Sequence, residues 1–126
     1  MWRFMLIAFL PGLAFAGSVQ DETNGCMFKS ETAELRECLS DLFYRRGAEL
    51  DKRIASATAS AGLSDLQADV MASKLESAQT AWRVDTDELC GEREVISREL
   101  CRISSLEVRE VELSFELDRA MNKYGG

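Results

Sequence analysis

The chain has 126 residues, a formal net charge of −7, 46% hydrophobic residues, four cysteines, one proline and no histidine. That length supports one domain with a modest core, and the missing histidine excludes Ser-His-Asp and Cys-His catalysis, imidazole acid–base chemistry and histidine zinc sites. The acidic balance argues against a nucleic-acid binder, which tracks phosphates with a basic surface.

Residues 1–16 read as a secretory signal peptide. Arg3 supplies the positive start, and Phe4 to Leu10 form an apolar run. Pro11-Gly12 breaks that run, and Ala14-Phe15-Ala16 gives the small-x-small pattern before a cleavage site near Ala16. The run is too short for a permanent membrane anchor, which takes about 20 residues. Cys26 follows Thr23-Asn24-Gly25, which is no lipobox. The expected location is extracytoplasmic, periplasmic or secreted. Removing residues 1–16, of which only Arg3 is charged, leaves 110 residues with no proline and takes the net charge from −7 to −8.

Residues 17–31 are rich in Gly, Ser, Asp and Asn, lack apolar periodicity, and read as an N-terminal arm. A helical domain is expected over 32–124. Its first helix spans about 32–57, with Leu35, Leu39, Leu42, Phe43, Leu50 and Ile54 on one broad face and Gly47 inside the stripe, where a neighbour could approach closely. Thr58 to Gly62 is a small polar connection. Ser64-Asp65-Leu66-Gln67 then has the S-x-x-Q form of a capping box. Met71, Leu75, Ala78, Trp82 and Leu89 follow at helical spacing, and Gly91 suits the C-terminal cap of this second helix. A third helix starts near Arg93, its stripe carrying Ile96, Leu100, Ile103, Leu106, Leu113, Leu117 and Met121. The expectation is an all-α fold, a small antiparallel three-helix bundle.

An even cysteine count in a short exported chain reads as two disulfides. Cys26, Cys38, Cys90 and Cys101 allow three connectivities, and spacing does not choose among them. Zinc is disfavoured, because separations of 12 and 11 residues do not match the short spacing of a zinc knuckle. In an up-down-up bundle all four cysteines reach the same end, so the disulfides staple that end. This placement favours Cys26–Cys38, tying the arm to the first helix, and Cys90–Cys101, closing the second hairpin.

Ala78-Gln79-Thr80-Ala81-Trp82 followed by Cys90 resembles the A-Q-x-A-W-x7-C core of the LprI-like lysozyme inhibitor family. Cys26 and Cys38 fall where that family has its N-terminal cysteine pair, and Leu50-Asp51 matches its Leu-Asn/Asp position. Cys101 with Arg109 and Leu113 looks like its final Cys-x7-Arg-x3-Leu segment. The similarity covers about 26–117. It departs at Asp85-Thr86, where members commonly carry Tyr-Arg, and at Ile54, where they carry an aromatic. The resemblance implies a disulfide-stapled helical domain and, for some members, lysozyme inhibition.

The motif residues Ala78, Gln79, Trp82 and Arg109 read as structural. Trp82 stands on the apolar stripe, Gln79 is expected to hydrogen-bond a neighbouring helix or loop, and Arg109 is expected to pair with a carboxylate of the second helix. Asp85, Asp87, Glu88, Glu92, Glu94 and Glu99 cluster around the stapled end. A glycosidase would need two of them at a set separation with one pKa raised, and nothing in the periodicity supplies a cleft. No catalytic residue, metal or cofactor is expected. An acidic protein attracts a cationic partner by long-range steering, so Asp87, Glu88, Glu92 and Glu94 are the candidate contacts for a cationic lysozyme. The competing reading is an envelope structural or interaction protein with another protein partner.

Overall fold

The structure is a computed structural model that describes residues 18–60 and 62–125. The signal-peptide reading of 1–16 lies outside the described residues. Four α-helices follow one another: α1 (Val19–Cys26), α2 (Thr32–Ser60), α3 (Asp65–Cys90) and α4 (Val95–Ala120), the last running into a π-helical turn, Met121–Gly125.

The expected three-helix bundle is therefore corrected to four helices among the described residues. The difference is α1, which forms inside the segment read as an N-terminal arm. Val19, Thr23 and Cys26, spaced by four and three, bury one short face. The Ser18 side chain caps the helix by accepting from the Asp21 amide at 3.0 Å. Eight residues cannot hold a helix alone in water, so α1 depends on its anchors. Cys26 is bonded to Cys38 of α2. Glu22 pairs with Arg45 and Arg46 of α2, and Arg46 also reaches Glu110 of α4 at 3.1 Å.

The three long helices form because each carries a stripe that cannot stay in water. Leu39, Leu42, Phe43, Leu50 and Ile54 of α2 are buried against Met71 and Leu75 of α3 and Ile103, Leu106 and Leu113 of α4. Each such side chain contributes about 1.5–3 kcal/mol on burial. At the start of α3 the predicted capping box is present. Ser64 Oγ accepts from the Gln67 amide at 3.2 Å, and the Ser64 amide donates to Gln67 Oε1 at 3.3 Å.

Helix directions follow from cross-helix bonds. Gln79 meets Arg109, Trp82 meets Ser105 and Asp87 meets Arg102, so α3 and α4 are antiparallel. Arg83 pairs with Asp51, as an antiparallel α2–α3 pair requires. Arg46 meets Glu110 and Arg53 meets Ser114, so α2 and α4 run parallel. The end of α3, the start of α4 and the start of α2 thus share one end of the molecule. Cys90–Cys101 and Cys26–Cys38 both close there.

Two local expectations change. Leu89, assigned to the buried stripe of α3, is 64% exposed. Thr86 and Cys90 take the inward positions instead. Gly47 is on the inner face of α2, but a Cβ there would meet nothing within 4 Å. The close approach occurs at Gly91, where a Cβ would come within 2.6 Å of the Asp87 carbonyl oxygen.

Candidate functional site

The stapled end is built on the α3–α4 turn. α3 finishes at Cys90, with Gly91 as its cap in right-handed backbone and its amide donating to the Asp87 carbonyl. Glycine is needed here for the close approach to that carbonyl, since the φ of −62° is open to any residue. Glu94 caps α4, accepting from the Ser97 amide at 2.9 Å. Cys90, fully buried, is bonded to Cys101 one helical turn and a half beyond the α4 start. The turn is therefore fixed at both helix ends and by a covalent bond.

The structure brings Asp87, Glu88, Glu92 and Glu94 together on this turn, all exposed. Asp87 has an Arg102 guanidinium at 3.5 Å, and Glu94 is occupied in capping. Glu88 and Glu92 have no ion pair or hydrogen bond among the described residues. Arg93, between Glu92 and Glu94 in the chain, is the cation of this segment. Glu99, counted with this cluster in the sequence, does not belong to the solvated face. It is 2% exposed, with Arg98 at 3.6 Å and Arg102 at 3.5 Å. Its charge is matched by two arginines within α4.

The motif residues assemble elsewhere, on the α3–α4 seam. Gln79, 2% exposed, accepts from Arg109 Nε at 2.7 Å. Arg109 is equally buried and places its two terminal nitrogens on Glu116, at 2.7 and 3.0 Å. The expected carboxylate on the preceding helix is thus replaced by a neutral Gln79 there and by Glu116 on α4 itself. Ala78 and Trp82 are half-buried. Trp82 donates through its indole nitrogen to Ser105 Oγ at 2.8 Å, and the Ser105 hydroxyl shares a 2.6 Å hydrogen bond with Thr86. Phe43 packs against the indole with ring centroids 5.7 Å apart.

Apart from Gln79 Nε2, the buried side-chain polar groups of this seam are hydrogen-bonded to one another, so its chemistry is that of a clasp between helices. Ser105, Thr86 and Glu116 were not singled out in the sequence. Glu116 lies two turns from Arg109 on one helix, a spacing that signals a shared face. Among the described residues no group of three or more metal-ligating side chains is present, and no helix is long and apolar enough to cross a membrane.

A family model described as lysozyme inhibitor LprI matches residues 24–113. The match takes in both disulfides, the Gln79–Arg109 clasp and the acidic turn. No curated protein and no solved structure matches the chain.

Proposed function

The chain belongs to the lysozyme inhibitor LprI family, and from that premise we propose that it is an exported, non-catalytic protein that blocks a cationic lysozyme by occlusion. The observation that carries this reading is the acidic turn. Glu88 and Glu92 are exposed without a cation bonded to them, on a segment held by Cys90–Cys101 and by the caps of two helices. A rigid, charged projection loses little conformational entropy on docking. The net negative charge steers a cationic partner toward it. Occlusion of a cleft by such a turn needs no proton transfer, and the chain has no histidine to perform one. The apolar run of residues 1–16 supports export.

The test is lysis of bacterial cell walls by a cationic lysozyme, with the exported protein added in molar excess at low salt. Lysis should slow, and Glu88→Gln/Glu92→Gln should weaken the effect several-fold, because two charges aimed at the partner are lost. Unaffected lysis at large excess would refute the proposal. A second reading, an envelope interaction protein with another protein partner, draws on Val111 and Phe115. They lie one turn apart on α4 and are 58% and 59% exposed. Self-association without any response to lysozyme would favour it.

A further inference from the structure

The seam between α3 and α4 opens outward as a groove whose walls come from these two helices and the turns that flank them. Two adjoining cavities, about 760 and 350 Å³, share Ala78 and Glu116 as walls, and both fall within the roughly 300–1,000 Å³ of small-molecule sites. Small side chains at Ala78, Ala81, Ser105 and Ala120 leave the space open. The groove has a polarity of its own. In a protein of net charge −7, Lys74 and Arg119 stand together at the smaller cavity, whose lining includes the buried Met71 and Leu75. The carboxylate there, Glu116, is already held by both terminal nitrogens of Arg109. The larger cavity is walled by Trp82, Leu89 and Val108, the last two 64% and 58% exposed. Asp85, Glu112 and Arg93 stand along its rim.

A cationic end followed by an apolar channel is the complement of an anionic amphiphile. We propose that the α3–α4 groove binds a single-chain amphiphile of the fatty-acid class, its carboxylate between Lys74 and Arg119 and its hydrocarbon along Trp82 and Val108. Cations on flexible stems suit a carboxylate head, and the exposed apolar walls gain by leaving water. This site lies apart from the acidic turn and stands whether or not the chain inhibits a lysozyme.

Trp82 is the natural reporter, since the other of the two tryptophans, Trp2, lies in the segment 1–16 that the exported protein has lost. In the exported protein, dodecanoate below its micellar concentration should shift the Trp82 emission saturably. Dodecanol should bind at least tenfold more weakly, and acetate should produce no shift. Lys74→Gln/Arg119→Gln, at exposed positions that leave the circular dichroism and melting temperature unchanged, should weaken dodecanoate at least tenfold. A silent Trp82, equal response to dodecanol, or an unaffected double variant would overturn the proposal. Sedimentation with anionic vesicles in the absence of any response to dodecanoate would also overturn it, assigning the cations to a bilayer surface.

Discussion

Arg109 carries a charge into a position that is 2% exposed, where an unpaired guanidinium would be prohibitively desolvated. It is tolerated because Gln79 and Glu116 accept three of its hydrogen bonds. Removing it strands a buried amide and a half-buried carboxylate. Arg109→Met should cost about 3 kcal/mol in urea unfolding. Arg109→Lys should recover little of that, because an ammonium cannot bridge both partners with the guanidinium fork. Equal stability of the Met variant would contradict the clasp. The sequence placed Gln79 and Trp82 on an inward face, and both lie there because helical spacing determines facing. It misassigned the partner of Arg109, since a long side chain can reach along its own helix as readily as across to the next, and spacing does not rank the two. Leu89 went wrong for a related reason. Leu89 follows Trp82 by seven residues, but the buried stripe of α3 continues through Thr86 and Cys90, four apart, and leaves Leu89 outside it.

At the scale of elements, the long helices were legible because each repeats its stripe over several turns. The Ser64–Gln67 box marks one start unambiguously. α1 was not legible in the same way. Its face consists of Val19, Thr23 and Cys26 alone, and two of these do not score as strongly apolar. Ser18 and Cys26 are its retrospective signals, a cap before and an anchor after. The Cys26–Cys38 bond closes a loop of 12 residues, short enough to contribute about 3 kcal/mol by constraining the unfolded chain. In Cys26→Ser/Cys38→Ser, global stability should fall by about that amount. Amide protection should be lost across 19–26 while α2, α3 and α4 keep theirs, because Glu22 with Arg45 and Arg46 is a partly exposed network of modest strength. Protection of 19–26 equal to that of α2 would show that α1 packs without its staple.

For the molecule as a whole, charge is distributed unevenly around a fold whose buried charges, Glu99 and Arg109, are ion-paired. The acids of α4 that face inward are matched by arginines on the same helix or on α2. The acids of the α3–α4 turn face solvent, and the far end of the groove is cationic. The motif residues hold α3 against α4 and so set the turn in place. This explains why the fold was more legible than the site. Periodicity and cysteine placement report packing, whereas a recognition surface is defined by which charges are left without internal partners. Glu99 and Glu88 look alike in sequence, and only burial separates them. The central claim is that the unmatched acidity of the stapled end captures a cationic lysozyme. Sedimentation velocity of the exported protein with a cationic lysozyme, at low and at raised salt, tests it most directly. The account predicts a complex at low salt that dissociates as salt is raised. Two independent species sedimenting side by side at low salt would contradict it.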